Sequence, residues 1–168
     1  ERVHGVGPSM GAATLLHAAS LEPDRFTGLT LMVPPTAWDT RPDQAANYRA
    51  AAALIESDGV EAFHAATRGS VPPPATVGAP ETWPDVADAL LPSLLRGAAL
   101  SDLPAPEAVA QIDVPTTILA WVDDPGHPLS TAESLAALLP NATLAVARTP
   151  GDVEAWPEVL RQDVERRG

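Results

Sequence analysis

Ser9 lies midway between two glycines in Gly7-Pro8-Ser9-Met10-Gly11. An apolar run, Val3 to Val6, precedes the motif, and an Ala-rich apolar segment, Ala12 to Ala19, follows it. A strand, a tight turn and a helix in that order, with G-x-S-x-G in the turn, form the pattern of a nucleophile elbow. The glycines keep strand and helix apart where the chain reverses. The turn holds the serine in a strained backbone conformation. Its hydroxyl then stands at a helix N-terminus, where free N–H groups favour developing negative charge. The chemistry implied is attack on a carbonyl by serine. That needs a base to take the hydroxyl proton and an acid to orient the base.

Candidate acids follow a second strand-like run. Thr116 to Val122 is apolar and leads into Asp123-Asp124-Pro125-Gly126-His127-Pro128. Sites in open parallel sheets form at the carboxyl ends of strands. A serine followed later in the chain by a carboxylate is the order expected for an elbow serine. Either Asp123 or Asp124 fits on this ground.

The remaining elements frame these two loops. Residues 2–7 read as a buried strand and Met10 to Ser20 as a helix. Phe26 to Val33 reads as a strand buried on both faces, stopped by Pro34-Pro35. Residues 36–110 carry no strand signal. They read as helices over Arg41 to Ser57, Val60 to Thr67, Asp85 to Ala99 and Ala105 to Gln111, with a Pro-rich loop from Ser70 to Pro84. Strand character returns at Thr116 to Val122 and Thr143 to Ala147. Between these, Ser130 to Leu139 reads as a helix N-capped by Ser130, with Glu133 at the capping-box position. Val153 to Arg167 reads as one terminal helix. The expected class is α/β, a core of residues 1–35 and 111–168 interrupted by a helical insertion at 36–110.

Composition narrows the partners. The chain has 168 residues, a net charge of −12, no cysteine, and ten basic residues that are all arginine. That acidity argues against nucleic acid or an anionic membrane as partner. No apolar run approaches a membrane span, which takes about 20 residues, and no signal-like segment is present. Disulfide and thiolate chemistry are excluded. The expected location is the cytoplasm, the expected partner a small molecule, and no cofactor or metal is called for.

The elbow and the segment Pro115-Thr116-Thr117-Ile118-Leu119-Ala120-Trp121-Val122-Asp123-Asp124-Pro125-Gly126-His127-Pro128 together resemble the carboxy-terminal part of the α/β-hydrolase fold family. The resemblance spans essentially the whole chain, with 36–110 standing where the family carries its cap or lid. It implies Ser9 as nucleophile and Asp124, directly before Pro125, as acid, with Asp123 second. The backbone N–H of Met10 would be one oxyanion donor. The early position of the elbow implies that the chain is the second part of a larger protein. The family's opening strands, with the loop that gives the second oxyanion donor, would then lie outside it. Trp38, Trp83 and Trp121 are candidates to line an apolar pocket, Trp38 foremost, while Trp121 reads first as core.

The family's base is expected in the loop after the last strand, here Arg148-Thr149-Pro150-Gly151-Asp152, which has no histidine. Asp152 stands roughly in its place. Of the four histidines, His4 reads as packed on the elbow strand, His17 as too far along the elbow helix, and His64 as a surface residue of the insertion. His127 reads first as ordering the acid loop and second as a substitute base. The implied activity is hydrolysis of a small carboxylic ester or lactone through an acyl-enzyme. The alternatives are a hydrolase-fold protein that binds without turnover, or a truncated fragment.

Overall fold

The computed structural model describes residues 1–80 and 85–167. Trp83 lies outside the described residues. The chain forms two compact units. One contains Glu1–Ala37, Pro72–Gly78 and Leu103–Gly168, and the other Trp38–Val71 and Ala79–Asp102.

The first unit is an α/β layer structure. Its strands are β1 (Val3–Pro8), β2 (Phe26–Met32), β3 (Thr116–Trp121) and β4 (Ala142–Ala147). All neighbours pair in parallel, in the order β1-β2-β3-β4. The burial pattern follows from that order. The inner strands β2 and β3 are almost continuously buried, whereas β1 and β4 alternate, as strands at the margin of a sheet do. Leu29, Leu31, Ile118 and Leu119 have no exposed surface.

Helix α1 (Met10–Leu21) runs from the elbow and buries Ala12, Leu16 and Ala19. It packs close because β1 offers glycines on that face. A Cβ on Gly5 would come within 2.7 Å of Leu15 Cδ2. Side chains alternate along a strand, so His4 points to the opposite face. There Nε2 lies 2.8 Å from Thr30 Oγ1. The Thr30 hydroxyl in turn donates to Asp163 Oδ2 at 3.0 Å. His4 is thus the packed residue expected of it, tied by a buried polar link to the terminal helix.

Three helix boundaries depart from expectation, each at a proline. The helix expected from Ser130 begins at Leu129 (α6, Leu129–Leu138), with extended Pro128 as its cap residue and no side-chain cap. Ser130 is therefore already inside the helix, and the Ser130–Glu133 box does not form. The terminal helix is two: α7 (Pro150–Glu154) and α8 (Trp156–Arg167). Pro157 has no N–H to donate and would clash with the carbonyl four residues back, so the helix restarts there. In the second unit, the helix expected from Asp85 begins at Leu91 (α4, Leu91–Leu100), preceded by a 3₁₀ turn at Asp88–Leu90. Pro92 is tolerated only in a first turn.

The expected insertion is also divided. Residues 72–78 and 103–110 belong to the sheet unit. Burial explains this. Ala75 is 2 % exposed and joins Val33, Leu119, Ala147 and Trp156 in one apolar cluster. Leu103 and Val109, the latter in the short helix α5 (Pro106–Val109), are buried as well. The second unit is helical: α2 (Arg41–Asp58), α3 (Val60–Thr67) and α4. Arg41 is buried, with its Nε donating to the Ser101 carbonyl at 2.6 Å and its guanidinium 5.5 Å from the Tyr48 ring centre. No helix among the described residues is long and apolar enough to cross a membrane.

Candidate active site

The site is built on the carboxyl ends of β1 and β3. Ser9 follows β1 directly and has φ 51° and ψ −113°, far from the regions open to ordinary residues. The strain is held in place by its neighbours. The Ser9 N–H donates to the Met32 carbonyl at the end of β2, at 2.8 Å, and the Ser9 carbonyl accepts from Ala12 N–H at 3.0 Å. Both motif glycines have a steric reason. A Cβ on Gly7 would lie 2.5 Å from the Gly11 carbonyl carbon and 2.7 Å from its oxygen. A Cβ on Gly11 would meet Pro8 Cδ at 3.3 Å. The strand enters and the helix leaves almost in backbone contact, which is the reason for G-x-S-x-G here.

The loop after β3 is organised by Asp124. Its Oδ1 accepts from the N–H groups of Gly126 at 2.8 Å and His127 at 3.2 Å. Its Oδ2 lies 2.9 Å from His127 Nδ1 and accepts from the Trp121 indole N–H at 2.8 Å. The Gly126 carbonyl accepts from Thr36 N–H at 3.1 Å, tying the loop to the segment after β2. The far nitrogen of the ring, His127 Nε2, is 2.8 Å from Ser9 Oγ. Serine, imidazole and carboxylate therefore form one continuous hydrogen-bonded chain within the sheet unit.

The protonation pattern follows from the donor inventory. Both Asp124 oxygens face N–H donors, so the group is an ionised carboxylate that accepts throughout. Burial opposes that charge. The hydrogen bond from His127 and its charge, with the Trp121 and Gly126 donors, outweigh burial and bring the carboxyl down to about 2. His127 Nδ1 must then carry a hydrogen, which leaves the Nε2 lone pair facing the Ser9 hydroxyl. That is the tautomer a general base requires. Burial of the pair is partial, with 25 % of the His127 side chain and 16 % of the Asp124 side chain exposed.

The other expected positions separate. Asp123 is exposed, has φ 60°, and is not the carboxylate beside His127. Met10 is the first residue of α1. An N–H at that position has no acceptor within its own helix. Asp152, in the loop after β4, caps a helix. Its Oδ2 accepts from the N–H groups of Arg148 and Thr149, both at 2.9 Å, in a capping box that opens α7. Trp38 lies in the second unit, with its N–H on Asp102 Oδ1 at 3.1 Å. His17 lies on α1 and His64 on α3. Among the described residues no group of three His, Asp or Glu side chains could hold a metal ion.

Trp121, read from the sequence first as core and second as pocket lining, instead has its indole N–H on Asp124. The signal was present. Trp121 and Asp124 are three apart at the end of a strand, and a buried indole N–H needs an acceptor.

No protein-family model and no curated protein matches the sequence. Solved structures do match. An alpha/beta hydrolase enzyme from a Medee basin deep-sea metagenome library superposes with a TM-score of 0.68 at 18 % identity, over 97 % of this chain and 63 % of that one. A thermophilic esterase from Thermogutta terrifontis gives 0.66 at 19 % identity, over 97 % of this chain and 66 % of that one. An N-acyl homoserine lactone degrading enzyme gives 0.60 at 16 % identity, over 96 % and 67 %. The chain therefore has the α/β-hydrolase fold, and it spans about two thirds of the length of these neighbours.

Proposed function

We propose that this chain carries the nucleophile, base and acid of a serine hydrolase acting on a small carboxylic ester or lactone. The observation that carries the reading is the hydrogen-bonded series Ser9 Oγ, His127 Nε2, His127 Nδ1, Asp124 Oδ2 at 2.8 and 2.9 Å. In this reading Ser9 Oγ attacks the carbonyl carbon as its proton passes to His127 Nε2. Asp124 holds the ring and stabilises the imidazolium without taking the proton. The oxyanion forms beside the N-terminus of α1, with the Met10 N–H as one donor. Losing a single such donor typically costs about 10²–10³ in turnover. Collapse of the tetrahedral adduct expels the alcohol, which takes the proton from His127 and leaves an acyl-Ser9. Water, deprotonated by the same nitrogen, then releases the acid.

The ester or lactone preference rests on what the structural neighbours are described as doing and on the fold's commonest chemistry, so it is analogy in part. A protein that binds without turnover was favoured by the lack of histidine after β4. With His127 at hydrogen-bond distance from Ser9, no specific observation favours it. Turnover is proposed for the full-length protein. The test is hydrolysis of a panel of short p-nitrophenyl esters and small lactones by the full-length protein and its S9A variant. The reading expects turnover that S9A abolishes. Turnover that survives S9A, or none on any member of the panel, contradicts it.

A further inference from the structure

We propose that Trp121 is a positioning residue for the acid: its indole N–H fixes the plane of the Asp124 carboxylate and so the aim of His127. This rests on the serine-hydrolase reading above and adds to it a residue outside the triad. Asp124 Oδ2 has two lone-pair directions. Trp121 Nε1 occupies one at 2.8 Å and His127 Nδ1 the other at 2.9 Å. With the indole in place the carboxylate cannot turn about its own axis without losing a charge-assisted hydrogen bond. The indole itself is held. It stacks on Trp156 with ring centres 5.8 Å apart and planes 13° from parallel. Trp156 is 6 % exposed in the apolar cluster at the start of α8. The indole also meets the imidazole edge to face, at 6.3 Å and 89°, an arrangement aromatic pairs favour. One side chain thus touches both acid and base, and the terminal helix braces it. The second oxygen, Oδ1, is held by two backbone N–H groups of the same loop. Those fix the loop around the carboxylate, while Trp121 ties the carboxylate to the sheet.

The experiment replaces Trp121 by benzothienylalanine, which keeps the ring shape and stack and lacks the N–H, alongside W121F in the full-length protein. The expected result is a kcat about ten-fold lower with KM little changed, from loss of one hydrogen bond to a charged group. A benzothienyl variant with unchanged kcat overturns the role, and W121F then reports packing alone. Labelling of Ser9 in the unsubstituted protein by a fluorophosphonate separates the two levels. If Ser9 labels and the isostere behaves as the parent, only the Trp121 role fails. If Ser9 does not label, the triad reading fails and this role with it.

Discussion

His127 and Asp124 are three residues apart, and the imidazole Nδ1 lies 2.9 Å from the carboxylate Oδ2. In the proposed reading acid and base thus come from one loop, wrapped so that the Asp124 carboxylate also accepts from the backbone N–H groups of Gly126 and His127. In that reading the loop after β4 is left free of catalytic duty.

That freedom is testable at Asp152. In the full-length protein, D152A and D152H should keep kcat/KM within about two-fold of the parent, because this carboxylate caps α7 and its hydrogen bonds go to Arg148 and Thr149. Steady-state rates on the best ester decide it. A hundred-fold loss in D152A, with the protein still folded by circular dichroism, would place chemistry on the wrong loop.

His127 should behave in the opposite way. H127A removes the group 2.8 Å from Ser9 Oγ. General-base catalysis typically contributes about 10²–10⁴-fold, so kcat/KM should fall by that order while thermal unfolding changes little. Comparison of turnover with melting temperature separates the two effects.

The Asp124 carboxyl, held down at about 2 against an ordinary 3.8, also makes a pH prediction. A group with a depressed folded pKa contributes stability that is fully present above its unfolded value. That contribution is lost as pH falls through the folded value. The stability difference between the parent and D124N should therefore be constant above about pH 5 and shrink between about pH 4 and pH 2. Chemical denaturation at several pH values measures it. A difference that persists unchanged at pH 2 contradicts the ionised, hydrogen-bonded acid.

The elbow sterics predict the cost of G7A. Its new Cβ would lie 2.5 Å from the Gly11 carbonyl carbon, which is backbone and cannot swing aside. Overpacking of this kind typically costs about 1–3 kcal/mol. G7A should therefore lower stability by that amount and reduce acylation by displacing Ser9. A control substitution, G97A, adds a Cβ that meets nothing within 4 Å, and should be neutral or stabilising in its helix.

Much of this was legible in the sequence because the cues are local. Buried parallel strands read as continuous apolar runs, and Gly7-Pro8-Ser9-Met10-Gly11 states its own turn. Asp124 before Pro125 is named as the acid only through the family resemblance; the structure puts its carboxylate beside the loop histidine. The aim of His127 was not legible. Its partner Ser9 is 118 positions away, and nothing in Asp-Pro-Gly-His says where the ring points until the carboxylate has gathered its donors. The split of the last helix was written in Pro157 and went unread, as did the late start at Pro92 and the early start after Pro128. The donor role of Trp121 was hidden because a tryptophan ending a buried strand looks like packing.

The most direct test of the account is active-site labelling. The full-length protein is treated with a fluorophosphonate, with an ordinary esterase as control, and the modified residue is located by peptide mass spectrometry. The account predicts a single adduct on Ser9, formed at least about 100-fold more slowly in H127A, as general-base contributions require, and absent in S9A. An unlabelled Ser9 beside a labelled control, or equal labelling rates in the parent and H127A, would contradict it.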